Sequence, residues 1–221
     1  MSGAAALLVL ADGRFPAGGH AHSGGAEAAV KAGRIQDAAT LLEFCRSRLH
    51  TAGLVGAALA AAAATGHDPL ALDEAADART PSPALRRTAR RLGRQLMRAA
   101  RATWPGPELD ALAAARPRGA HQPVVLGLAA RSAGLTPLDA AYASAYESVS
   151  GPATAAVRLL SLDPFDATAV LARLAPEADE VARQAEAASR GVVENLPCTS
   201  APLLDITAEQ HATWPVRLFA S

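Results

Sequence analysis

Apolar residues return along this chain every three or four positions and almost nowhere every two. Leu41, Leu42, Cys45, Leu49 and Ala52 mark one such face behind Asp37, a residue suited to capping a helix. The pattern runs on through 54–64 and stops at Gly66, which predicts one long helix. A short buried helix is predicted over Gly3–Ala11. Another is predicted from Ser23, as cap, to Ala32-Gly33, with Glu27 in its first turns where a carboxylate suits the helix dipole. Further periodic stretches predict helices over 70–78, 84–103, 108–115 and 138–160. The apolar run 124–133 reads as helix rather than strand, because Gly127, Ala129 and Ala130 disfavour β structure. Gly151-Pro152 is expected to kink or split its helix, and Pro164 and Pro176 read as first-turn residues of two further helices.

The fold class is therefore all-α: a single compact, bundle-like, multi-helix domain over 1–221 with a partly extended C-terminal tail. The tail segment, 191–221, follows the breakers Asn195-Leu196-Pro197 and Ala201-Pro202 and is expected to be loosely attached. Hydrophobic residues make up 50% of the chain, much of it alanine, and aromatics only 4%, which implies closely spaced helices with Leu and Val supplying bulk. A chain of 221 residues buries enough surface to need no disulfide or metal staple.

Formal net charge is zero, so bulk electrostatics points to neither nucleic acid nor an anionic membrane. The charges are nevertheless segregated. Eight arginines and no acid lie between Arg79 and Arg101, whereas acids outnumber arginines from Asp163 to Glu186. On the predicted helix 84–103, Leu85, Ala89, Leu92 and Leu96 form an apolar face and arginines cover much of the rest. Arginine forks suit carboxylates and phosphates alike. An all-α nucleic-acid-binding regulator built on this helix is thus the alternative to a solvated or protein-facing surface. The scarcity of Asn and Gln, Gln95 apart, favours the latter.

Catalytic chemistry finds little to stand on. The chain has no HExxH, no phosphate loop with lysine, no GxSxG and no CxxC, and its single lysine is Lys31. Cys45 and Cys198 are isolated, and Cys45, on an apolar face, reads as a packing residue. His20 and His22 lie one residue apart in a glycine loop without a third ligand. Structural roles for them are favoured over metal ligation, and an enzyme using His22 or His121 as acid or base is the weakest reading. The apolar stretches 4–11 and 54–64 suit neither a signal peptide nor a membrane span, so a cytoplasmic protein is expected.

Several motifs together resemble one family. The opening Leu8-x-x-Ala11-Asp12-x-x-Phe15-Pro16-x-Gly18-Gly19-x-x-His22-Ser23-x-Gly25-x-Glu27 is similar to the N-terminal signature of urease accessory protein F. His121-Gln122-x-Val124-Val125-x-Gly127 and Ala156-Val157-Arg158-Leu159 resemble its central segments, in order. Pro202-x-x-Asp205-Ile206, His211 and Arg217-Leu218-Phe219-x-Ser221 resemble its ending. His20 stands where members usually carry an aromatic. The resemblance implies an all-helical, dimeric, non-enzymatic scaffold that joins accessory protein D (also called H) and the GTPase accessory protein G on apo-urease. No cofactor would be bound tightly, nickel being handled by the assembled complex, and no nucleic acid or membrane partner is implied. The partner-binding residues it suggests are Phe15, Pro16, Gly18, Gly19, His22, Ser23, Glu27, Arg158, His211, Arg217, Leu218, Phe219 and Ser221.

Overall fold

Helix α4, Leu54–Thr65, is apolar on every side, and all of it except Gly56 and Thr65 is buried. Such a helix is stable only where neighbours surround it. In the computed structural model, which describes residues 3–219, those neighbours are α8 (Gln122–Ser132), α9 (Pro137–Leu160) and α10 (Pro164–Ser189). Alanine lets them approach closely. At Gly127 of α8 an added Cβ would lie 2.1 Å from the Ala60 carbonyl oxygen and 2.6 Å from the Ala63 Cβ.

Around this centre lie the remaining elements: α1 (Gly3–Ala11), α2 (Ala26–Lys31), α3 (Ala38–Arg48), α5 (Pro69–Ala78), α6 (Pro83–Thr103), α7 (Pro107–Ala115) and α11 (Pro202–Ala212). Helices α1 and α2 pack on α9, α6 packs on α8, and α11 bridges α6 and α2. The all-α class is confirmed. Asp37 caps α3 in a reciprocal box with Thr40, as its position suggested. One wide turn of π-helix, Leu49–Gly53, then leads into α4, and Gly66 ends α4 in the left-handed region.

Several local expectations are corrected. Helix α1 is not buried: Leu8 is 73% exposed and only Leu10 is enclosed. Pro152 does not split α9, which runs unbroken past it. Proline has no N–H, so the Ser148 carbonyl one turn earlier loses its partner. The Arg48 Nε–H replaces it at 2.9 Å. Pro176 does not start a helix but lies inside α10, where the carbonyl it frees belongs to Ala172, an exposed residue. The buried face of α6 is also rotated from the expected one. Ala84, Gly93, Leu96, Met97 and Ala100 are enclosed, whereas Leu85, Ala89 and Leu92 are half-buried. Gly93 sets that rotation, since a Cβ there would lie 2.0 Å from the Ala120 carbonyl oxygen.

Candidate functional site

The C-terminal tail is not loose. Glu27, in the first turn of α2, is buried and accepts from the Leu218 N–H at 2.8 Å and the Phe219 N–H at 3.1 Å. The same carboxylate meets His211 Nε2 of α11 at 2.9 Å. Phe219 is buried, and the Arg158 guanidinium of α9 lies 4.9 Å from its ring centroid. Burial pushes the Glu27 carboxyl up, but the Leu218 N–H, His211 and the Phe219 N–H outweigh it and hold the group below the ordinary range. Ser23 positions this turn by accepting from the Glu27 N–H at 3.3 Å. The other end of α2 holds α11 as well: Lys31 Nζ lies 3.9 Å over the Trp214 ring, which packs on His211.

The structure therefore joins Ser23, Glu27, Arg158, His211, Leu218 and Phe219 in one cluster, although the chain separates its ends by nearly 200 positions. Val216, Arg217 and Leu218 remain exposed beside it. His22 is buried and Gly19 exposed. Phe15 stacks on Trp104 at 5.6 Å, and Pro16 and Gly18 border a hollow of about 440 Å³ with His20, Gln95 and Arg98. Ser221 lies outside the described residues.

Sequence reasoning missed what anchors α11. The Asp205 carboxylate accepts from the Ser82 N–H at 3.1 Å, and Glu209 accepts from the Ala84 N–H at 2.7 Å and from the Ser82 hydroxyl. Two acids thus cap the open N–H groups of α6, where the helix dipole favours negative charge. Their spacing of four residues on α11 was the available signal, but nothing in sequence pointed to α6 as their target.

The arginine helix divides into two sets. Arg90 pairs with Asp73 at 3.0 Å and Asp77 at 2.5 Å, and Arg101 pairs with Asp110 at 2.6 Å. Arg116 reaches buried Asp73 at 2.8 Å, and His121 Nε2 meets Asp77 at 2.7 Å. His121 is thus part of this network: burial keeps its pKa low, so the imidazole is neutral and donates to an ionised Asp77. Arg87, Arg91, Arg94 and Arg98 are exposed and make no ion pair among the described residues. The acids that neutralise the first set come from α5 and α7, not from the acidic stretch 163–186. Four exposed arginines on a neutral chain are expected to give only weak, sequence-blind DNA binding. Titration of random and genomic duplexes near physiological salt checks this. Sequence-selective binding with a steep salt dependence contradicts it.

Cys45 is fully buried, its thiol pushed up to about 12, which agrees with a packing role. No cluster of three or more His, Cys, Asp or Glu side chains placed to hold a metal occurs among the described residues. Nor is any described helix long and apolar enough to cross a membrane.

One further acid stands out. Burial pushes Glu147 of α9 up to about 7, against a hydrogen bond from Gln122 Nε2 at 2.6 Å. A carboxyl raised in the fold gives stability that is complete below its unfolded value and is lost as pH rises through the folded one. Stability is therefore expected to decline between about pH 4.5 and 7 by about 2 kcal/mol, after allowance for solvent screening. Glu147→Gln is expected to flatten that decline and to melt higher than the parent at pH 8. Melting curves at pH 5, 6, 7 and 8 read both effects.

The UreF family model matches residues 35–175. A protein of Mycolicibacterium vanbaalenii named urease accessory protein UreF is 46% identical over the full length of both chains. The chain belongs to the UreF family of urease accessory proteins. A same-named protein of Mycobacterium sp. (strain JLS) is 44% identical over 97% of each chain, and that of Mycobacterium tuberculosis H37Rv is 41% identical over the full length of both. UreF proteins are urease accessory proteins that support urease maturation as chaperones rather than enzymes.

Proposed function

We propose that this UreF protein is a scaffold, acting as a homodimer in the cytoplasm, that joins the D-type (H) and G-type accessory proteins on apo-urease. GTP hydrolysis by the G-type GTPase would drive nickel insertion, and nickel would be cargo of the assembly rather than a ligand of this chain alone. The observation that carries the reading is the Glu27 cluster. It fixes the first and last family motifs against each other and leaves Val216, Arg217 and Leu218 facing outward as a preformed contact surface. A tail already ordered before binding avoids most of the entropic cost that a loose one would incur.

Co-expression with the D-type and G-type proteins and apo-urease tests this reading. A stable complex that activates urease with nickel and GTP is expected, and no complex at all would end the proposal. The isolated, untagged chain is expected to bind nickel only weakly in calorimetry. A stoichiometric submicromolar site lost in His22→Ala would contradict the cargo reading.

A further inference from the structure

A groove of about 380 Å³ runs between α3, the start of α11 and Gly25. Its floor and walls are largely apolar, with Phe44, Pro202, Leu203 and Leu204 among them. Arg48 lines it from α3 and Arg34 from the loop before α3. Neither arginine makes an ion pair among the described residues, and the groove's one acid, Glu43, is held by Arg46 at 2.5 Å.

Arg48 is the unusual member. Its Nε donates to the Ser148 carbonyl freed by Pro152, which fixes the guanidinium in place. The same nitrogen lies 3.4 Å from where a Cβ on Gly24 would sit, so the glycine loop packs against it. Burial works against its charge, and the nearest ionisable help is Cys45, whose own thiol is held neutral. Charges drawn partly out of water in folded proteins are ordinarily paired. Arg48 is half-buried and makes no ion pair among the described residues, and the groove lies beside it. The π-helical turn Leu49–Gly53 follows immediately, and such turns recur at functional sites.

We propose that this groove binds a carboxylate carried on an apolar side-chain segment of a protein partner, with half-buried Arg48 as the inner counter-charge and exposed Arg34 as the outer one. A monoanionic carboxylate matches the paired Nη edge of one guanidinium. The largely apolar walls suit the stem of a side chain better than a strongly hydrated phosphate. Leu203, which lines the groove, is 54% exposed, and Ile206 lies one turn further along α11 at 56% exposed, which gives a peptide an apolar path beyond the groove. That the carboxylate belongs to a protein rests on the scaffold reading; the chemistry of the groove does not.

The test uses the full chain alone, so its failure leaves the co-expression result above untouched. Acetyl-Leu-Phe-Asp-amide and its neutral counterpart acetyl-Leu-Phe-Asn-amide are titrated by NMR, with 3-phenylpropionate as a free acid. The acidic peptide is expected to bind at least tenfold tighter than the neutral one. That preference should vanish in Arg48→Met and shrink severalfold in Arg34→Ala. Arg34 is exposed, so Arg34→Ala is expected to keep the fold, and the second variant decides the matter should Arg48→Met fail to fold. Equal affinity for the two peptides, or a preference unchanged in Arg34→Ala, overturns the site. Tighter binding of 3-phenylpropionate than of the acidic peptide overturns its assignment to a protein segment.

Discussion

Gly127→Val is expected to abolish folding, and Gly127→Ala to cost about 3 kcal/mol or more. Helices α4 and α8 cross at this glycine, and a Cβ would lie 2.1 Å from the Ala60 carbonyl oxygen, a backbone atom that no rotamer change can move. Alanine's better helix propensity offers only about 1 kcal/mol in return. The steric term wins, because relieving it means moving α4, which α9 and α10 also grip. Gly151→Ala, in α9 with nothing within 4 Å of the added Cβ, serves as the control. There propensity acts unopposed, and a gain of about 0.5–1 kcal/mol is expected. Urea melts of both variants measure the contrast. A Gly127→Ala protein as stable as the parent would show that the helices separate more easily than this packing allows.

Glu27→Ala is expected to release the tail and to lower the melting temperature by roughly 6–12 °C, corresponding to about 3 kcal/mol in a chain of this size. The substitution leaves one buried and one partly buried N–H group, and the His211 nitrogen that faced Glu27, without that acceptor, and Phe219 loses the backbone bonds that hold it in the core. Deletion of 216–221 is expected to lower stability too, because Phe219 is buried, whereas a loosely attached tail would be dispensable for folding. A carboxyl held below its ordinary range contributes stability that is complete above the unfolded value and disappears as pH falls through the folded one. In the parent, the tail is therefore expected to detach as pH falls below about 4.5, and in Glu27→Ala that acid step should be missing. Tryptophan fluorescence follows the release, since Trp214 packs on His211. Loss of the complex with unchanged stability would place Glu27 in the partner interface instead of under the tail.

Both effects arise where helical periodicity is silent. The spacing of Leu41, Cys45 and Leu49 located α3, and Asp37 and Gly66 located two helix ends, because caps and amphipathic faces are set by residues three or four apart. Pro152 and Pro176 were misjudged because the remedy for each lost hydrogen bond is not local. One carbonyl is satisfied by an arginine a hundred positions away, and the other lies on an exposed residue, where burial imposes no cost. The face of α6 was misjudged because Gly93, which adds nothing to a hydrophobic pattern, is the residue that permits close approach.

The motifs at the two ends of the chain were legible as a family signature, but their meeting was not. Sequence alone determined the helical class, most helix boundaries, the packing role of Cys45 and the resemblance to UreF, since each depends on neighbours within a turn or two or on an ordered set of motifs. Only the tertiary structure decided that Glu27 holds the tail, that acids of α5 and α7 neutralise part of the arginine helix, and that Arg48 faces a groove with no ion pair among the described residues. The physical reason is common to all three. A charge is stabilised by whatever stands within a few ångströms of it, and that distance is set by how helices pack rather than by their order along the chain.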